Sequence, residues 1–301
     1  MNLKVNIGGV TWNNPITVAS GTFGSGAEYG EYVDLNKLGA VTTKGVASIP
    51  WEGNPTPRIA ETSSGMLNAI GLQNPGIDVF IKRDIPFLQQ YDCKTIVNVC
   101  GKTKEDYIEV VEKLADQPVD MLEINVSCPN VKEGGIAFGQ KKEALYDITT
   151  AIKKVAKQPI IMKLSPNVTD ITEMAKAAEA AGADAVSLIN TLTGMKIDIY
   201  RRKFALANKT GGLSGPAIKP VAVRMVYQVA KSVKIPIIGM GGIMNHEDAI
   251  EFLLAGATGI SIGTANFHNP AVTEEILEGI KMYMNQYGVT DINDLIGAVQ
   301  E

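Results

Sequence analysis

The chain has 301 residues, 45% of them hydrophobic and 20% charged, with 30 Gly, 14 Pro and only 6% aromatics, a mixture that describes a globular protein and excludes disorder, collagen and coiled coil. A net charge of −4 gives no general attraction to phosphate backbones, and no basic run of convincing length offsets it, so a nucleic-acid partner is not expected. No stretch reaches the roughly 18 uninterrupted apolar residues of a membrane span, and the start, MNLKVNIGGV, lacks the apolar core of a secretion signal, so a cytoplasmic protein without a membrane partner is expected.

From the amino terminus, LKVNIGGVTW alternates around Gly8-Gly9, which predicts a β-hairpin plugging the floor of a barrel. Eight short apolar runs rich in β-branched residues come next and read as parallel strands: Ile16–Val18, Ala40–Thr43, Thr95–Val99, Met121–Asn125, Ile160–Leu164, Ala185–Ile189, Ile237–Met240 and Gly259–Ile262. Amphipathic stretches such as Lys104–Ala115, Lys142–Val155, Thr169–Ala181 and His246–Leu254 are long enough for the crossover helices that parallel pairing requires. Helices closing on LGA or AGA, at Leu38–Ala40, Ala181–Ala183 and Ala255–Ala257, place Gly at their ends. Eight such units fit an α/β fold of the (β/α)8 TIM-barrel type better than an open doubly wound sheet, and no Rossmann GxGxxG follows the first strand. Two long intervals, Lys44–Cys93 and Asn190–Ile235, read as elaborated βα loops, and with no break in composition residues 1–301 form one expected domain.

The active face of such a barrel is the carboxyl end of its strands, so the residues standing at or directly after the end of each apolar run are the candidates for function. Those positions hold Ala19-Ser20-Gly21, Lys44-Gly45, Asn98, Asn125-Val126-Ser127-Cys128, Lys163 and Asn190-Thr191. Lys163 ends the run PIIMKL; a lysine there either snorkels outward, answers an anion or acceptor, or acts as a Schiff-base nucleophile. Lys44 would suit an anionic substrate or cofactor. The last two strands end in Gly241-Gly242 and Gly263-Thr264, the barrel arrangement in which bare backbone cradles a phosphate, and His246 falls to the start of the next helix.

Three cysteines, Cys93, Cys100 and Cys128, at irregular spacing argue against a disulfide framework or a Cys-ligated metal, and two histidines, His246 and His268, are too few for a His-rich one; no metal is expected. A loop cysteine is usually a bystander, but Cys128 lies beside Asn125 and Asn130 at a strand end, where a thiol can serve as an acid–base group. Gly134-Gly135 beyond it suits a lid. Asn68, Asn98, Asn125 and Asn190 supply paired donors and acceptors that match a flat ring with alternating C=O and N–H groups, such as a flavin or a pyrimidine.

These residues also carry a family resemblance. ASGTFG at Ala19–Gly24, TTKG at Thr42–Gly45, NAIGLQNPG at Asn68–Gly76, INVSCPN at Ile124–Asn130, GGLSGPAIKP at Gly211–Pro220 and GMGGI at Gly239–Ile243 make the whole chain similar to the type 1 dihydroorotate dehydrogenases. The resemblance implies FMN bound through Ser20, Lys44, Gly45, Asn98, Asn125, Lys163, Ile189 and Gly215, with its phosphate at Gly241, Gly242, Gly263 and Thr264. It implies substrate contacts from Lys44, from Asn68, Ala69, Ile70, Gly71 and Leu72, and from Asn125, Asn190 and Thr191. Cys128 and Lys163 would be the catalytic pair, the thiol taking the C5 proton of dihydroorotate while the C6 hydride leaves for flavin N5, and the ammonium stabilising negative charge on reduced flavin.

GLQNPG and VKEGGIAFG resemble the NAD-linked type 1B catalytic subunit more than the fumarate-using type 1A enzyme, and the cysteine departs from the serine base of type 2. That subtype implies a cytoplasmic enzyme making orotate for UMP, paired as a homodimer inside a heterotetramer. Its electrons would pass to NAD+ through a partner subunit carrying FAD and a 2Fe–2S cluster. The alternatives are a related flavin barrel acting on another dihydropyrimidine, a fumarate-using type 1A enzyme, a phosphate-binding Schiff-base lyase using Lys163, and a non-catalytic scaffold barrel.

Overall fold

The computed structural model describes residues 1–126 and 135–300. Its centre is an eight-stranded parallel ring: β1 (Ile16–Val18), β2 (Ala40–Thr42), β3 (Lys94–Val99), β4 (Met121–Asn125), β5 (Ile160–Lys163), β6 (Ala185–Leu188), β7 (Ile237–Met240) and β8 (Gly259–Ile262). Neighbours run in chain order from β2 round to β8, and β8 pairs with β1. The seam between β1 and β2 is held by the Gly39 N–H donating to the Ile16 carbonyl at 2.9 Å and by Thr17 and Thr42 hydroxyls 3.1 Å apart. The fold is a TIM barrel.

Helices wrap the ring: α1 (Ile77–Leu88), α2 (Lys104–Leu114), α3 (Gly135–Gln140), α4 (Lys142–Val155), α5 (Ile171–Ala180), α6 (Lys219–Ala230), α7 (His246–Ala255), α8 (Ala265–His268) and α9 (Val272–Gln286). Helix α2 shows why. Thr103 and Asp106 form a reciprocal capping box at its start, and Tyr107, Val110, Val111 and Leu114 recur every three or four residues as its buried stripe. With helices outside and side chains filling the inside, most strands are buried on both faces, so they read in the sequence as unbroken apolar runs.

Gly182 and Gly256 take φ of 92° and 115° at the ends of α5 and α7, the left-handed geometry expected there. Gly39 differs. A short 3-10 turn, Leu35–Lys37, precedes it, and a Cβ at Gly39 would lie 1.9 Å from the Asn14 carbonyl, so this glycine serves strand closure rather than a helix end.

The hairpin Val5–Ile7/Val10–Trp12 lies beneath the barrel. A Cβ at Gly8 would meet Asp184 and Met121, and one at Gly259 would meet Ile7 and Trp12, all at the amino ends of barrel strands, so the expected floor plug is in place.

The opposite end carries a feature the loop reading did not contain. The two long intervals pair with each other in a four-stranded antiparallel sheet ordered Leu192–Met195, Thr210–Ser214, Gly65–Asn68, Ile59–Thr62. Leu67, Ala69 and Leu206 form its own small core. A further two-residue pairing, Ile197–Asp198 with Lys203–Phe204, extends from it.

Candidate active site

A cavity opens between the carboxyl ends of the barrel strands and this upper sheet. One side is a polar cluster presented by β3 to β6. Glu123 on β4 is 2% exposed; its Oε1 accepts from Asn98 Nδ2 on β3 at 2.6 Å, and its Oε2 accepts from Ser187 Oγ on β6 at 2.8 Å. Lys163, 5% exposed at the end of β5, holds its Nζ 3.6 Å from Glu123 Oε1 and donates to Ser20 Oγ at 3.4 Å. Asn125 Nδ2 donates to Asn98 Oδ1 at 3.3 Å, while the Asn125 carbonyl accepts from the buried Tyr107 hydroxyl at 2.8 Å. Parallel register explains the convergence, since Asn98 is opposite Glu123, Asn125 opposite Lys163, and Lys163 opposite Ser187. Buried polar groups linked this fully hold one geometry, because each broken link leaves an unsatisfied group in a low-dielectric interior.

The facing side is glycine. Gly241 and Gly242 follow β7 with φ of 127° and 78°, and Gly215 has φ of 97°. A Cβ on Gly242 would lie 2.8 Å from the Gly215 carbonyl, and one on Gly241 would lie 2.9 Å from the Ala222 methyl. No side chain fits at such close approaches. Thr264, after β8, donates to Ser214 Oγ at 2.8 Å and so ties the barrel to the upper sheet. Lys219, the lysine of GGLSGPAIKP, turns away from this wall to ion-pair with Asp248 at 2.7 Å and Glu251 at 2.6 Å on α7.

The remaining rim comes from the 68–76 segment and from Asn190-Thr191. Asn74 is buried and organises the first: its Oδ1 accepts from the Ala47 and Gly76 N–H groups and its Nδ2 donates to the Leu72 carbonyl. Gly71 and Leu72 adopt positive φ, 75° and 54°, which turns the segment back over the cavity. Asn190 Oδ1 accepts from the Thr191 N–H at 2.7 Å.

Of the residues singled out from the sequence, Ser20, Lys44, Asn68, Ile70, Gly71, Leu72, Asn125, Lys163, Ile189, Asn190, Thr191, Gly215, Gly241, Gly242, Gly263 and Thr264 line this one cavity. Three stand behind it. Asn98 supports Asn125 and Glu123 from within the barrel; a Cβ on Gly45 would lie 2.9 Å from Asn98 Oδ1, which makes room for that amide; and Ala69 packs in the upper sheet's small core. Cys128 lies outside the described residues. Cys93 and Cys100 are buried, and burial pushes the Cys93 thiol up to about 11. His246 opens α7, and α9 packs on it through Gly279, where a Cβ would strike the imidazole.

Sequence reasoning missed Glu123, Ser187, Ser214 and Asn74. Glu123 carried the signal that picked out Lys163, a charge inside an apolar strand, here between Leu122 and Ile124. Met66, Ile59 and Phe267 on the cavity wall carried none.

Among the described residues no group of three His, Cys, Asp or Glu side chains could hold a metal ion, and no helix is long and apolar enough to cross a membrane. A solved structure described as DHODH in complex with ferulenol from Eimeria tenella superposes with a TM-score of 0.83 over 99% of this chain and 88% of that one, at 25% identity. A protein of Lachnoclostridium phytofermentans named dihydroorotate dehydrogenase B (NAD(+)), catalytic subunit, is 68% identical over 300 residues, covering 100% of both chains. One of the same name from Alkaliphilus metalliredigens is 64% identical over 299 residues, 99% of each. The family model described as Dihydroorotate dehydrogenase matches residues 2–284, and with relatives this similar over their full length the chain belongs to the dihydroorotate dehydrogenase family.

Proposed function

We propose that this chain oxidises dihydroorotate to orotate for pyrimidine (UMP) synthesis, as the FMN-binding catalytic subunit of an NAD+-linked enzyme, with residues 1–301 acting as one barrel domain. The observation that carries the reading is the two-sided cavity, in which Lys163, Asn125 and Ser20 face a wall of glycine backbone. That donor set fits a flavin mononucleotide: the positive-φ glycines leave space for a phosphate, Ile189, Met240 and Ile218 offer apolar surface to a flat ring, and Ser20 and Lys163 give polar groups at its edge. When bound, FMN supplies the acceptor for the C6 hydride.

The chain's own groups do the rest. Lys44 pairs with the substrate carboxylate, and Asn68, Asn125 and Asn190 match the alternating carbonyl and N–H edge of the ring. Cys128 takes the C5 proton. Lys163 offers positive charge from a dry site, where a fixed ammonium acts more strongly than in water. The upper sheet excludes solvent from above through Ile59, Met66 and Asn68. A partner subunit carrying FAD and a 2Fe–2S cluster would supply the route for the electrons to NAD+, with two copies of this chain paired within a heterotetramer.

The Schiff-base reading is disfavoured by the neighbour of Lys163. Imine formation needs an amine nitrogen free to attack, whereas Lys163 Nζ is engaged by Glu123 Oε1 at 3.6 Å and Ser20 Oγ at 3.4 Å. The test is direct: purified protein should be yellow, release FMN on denaturation, and be bleached by dihydroorotate but not by dihydrouracil. Protein that is colourless and takes up no FMN overturns the proposal. Copurification with an FAD and iron–sulfur subunit, with NAD+ reduced only in the complex, tests the electron route.

A further inference from the structure

Glu123 is not among the residues that line the cavity, yet behind the wall it meets three polar side chains. Three strands each send it one polar atom: Asn98 from β3, Lys163 from β5 and Ser187 from β6. Only Lys163 among these carries charge, and both members of the pair are withdrawn from water. A buried ammonium without its carboxylate either sheds its proton or moves toward solvent, and the nearest opening is the cavity itself.

We propose that Glu123 is the positioning residue of this site: its buried carboxylate keeps Lys163 charged and drawn against Ser20, so that the ammonium faces the cavity from a fixed point. Asn98 and Ser187 fix the carboxylate in turn, occupying one oxygen each. The arrangement makes the inner wall electrically neutral overall while aiming its positive member at the ligand. The inference rests on the flavin reading only for its catalytic consequence; the lysine–carboxylate coupling is a property of this chain alone.

The test tracks the Lys163 side chain by NMR of protein carrying 13Cε-labelled lysine, with Lys163→Met to assign its signal. In the natural chain the signal should hold the charged position from about pH 6 to about pH 9, well below the ordinary lysine range. In Glu123→Gln, which matches the carboxylate in shape and can still bond Asn98 and Ser187, it should shift toward the neutral position within that window. A Lys163 signal that behaves alike in the two proteins overturns the proposal. The natural-chain measurement decides even if the variant does not fold, because a signal already neutral near pH 8 overturns it equally.

With FMN bound, a second readout applies. Glu123→Gln should raise the ratio of reduced-flavin to oxidised-flavin affinity about tenfold at pH 6, where an unopposed ammonium remains, and lose that gain by pH 9. A ratio displaced equally at both pH values marks a purely structural defect and overturns the proposal. Failure of the natural chain to take up FMN would refute the flavin reading and leave the NMR result to decide the role of Glu123.

Discussion

The wall formed by β3 to β6 meets the cavity with a linked set of polar side chains, whereas the wall formed by β7, β8 and the 215 turn offers it a run of glycine backbone set among mostly apolar side chains. On the first, the proposed recognition depends on Lys163, Asn125 and the groups behind them, side chains that are linked to one another. On the second, it depends on the absence of side chains at Gly215, Gly241 and Gly242, so nearly any substitution intrudes. A ring needs edges that distinguish donor from acceptor, which side chains supply. A phosphate needs several N–H groups at close range, which only exposed backbone supplies.

The largest effect should come from the proposed base. Cys128→Ser is expected to retain FMN and slow its reduction by dihydroorotate by about 10²- to 10⁴-fold near neutral pH, the usual range for loss of a positioned proton acceptor. Rapid-mixing bleaching of the flavin measures this, and an unchanged rate refutes the assignment. The same variant should show no fast thiol labelling near pH 7, because both remaining cysteines are buried and Cys93 is held as the neutral thiol.

Lys163→Met tests the polar wall as a structural unit. Glu123 would be left buried with no cation, so a loss of about 3 kcal/mol in unfolding free energy is expected alongside weaker FMN retention. Denaturant melts of the FMN-free protein isolate the stability part, and a loss below about 1 kcal/mol would show the pair to be loosely coupled.

Gly241→Ala puts the opposite wall to the test. At φ 127° the added methyl is strained whatever its surroundings, and it would also press on Ala222 at 2.9 Å. A stability loss of about 1–2 kcal/mol is expected, with FMN affinity falling while Lys163 and its partners stay in place. Isothermal titration with FMN and with riboflavin separates the contributions: the variant should lose more for the phosphate-bearing ligand. Equal losses for both would remove the phosphate from this wall.

The contrast between the walls also explains why some features were legible in the sequence and others were not. Barrel strands such as Ile160–Lys163 were legible because burial on both faces leaves an unbroken apolar run, against which a terminal lysine stands out. The glycine wall was legible because glycines at two successive strand ends are a local signal. The upper sheet was not, since its strands are half-exposed and glycine-rich and the pairing of Asn68 with Gly212 joins segments 144 residues apart. Glu123 was readable in principle, but its importance lies in three neighbours on other strands, and strand register sets those contacts. Ala69 shows the converse: its motif places it at the rim, while in the fold it packs with Leu67 and Leu206 in the upper sheet's own small core.

The smallest effect sharpens the backbone wall further. Lys219 belongs to the GGLSGPAIKP motif and its backbone N lies 2.9 Å from where a Gly242 Cβ would be, so it is the obvious cation for a phosphate there. Its ammonium is instead committed to Asp248 and Glu251, whose hydrogen bonds raise it above the ordinary lysine value of 10.5. Lys219→Met should therefore leave FMN affinity within about twofold and cost only about 0.5 kcal/mol, as expected of a partly exposed pair. A lysine raised in the folded state stabilises fully at neutral pH, below 10.5, and that contribution fades as the pH climbs through its raised value. The variant's small deficit should thus be constant from about pH 6 to about pH 9 in thermal melts and narrow only in stronger alkali. A tenfold loss of FMN affinity would mean that a side chain, not backbone alone, holds the phosphate on this wall.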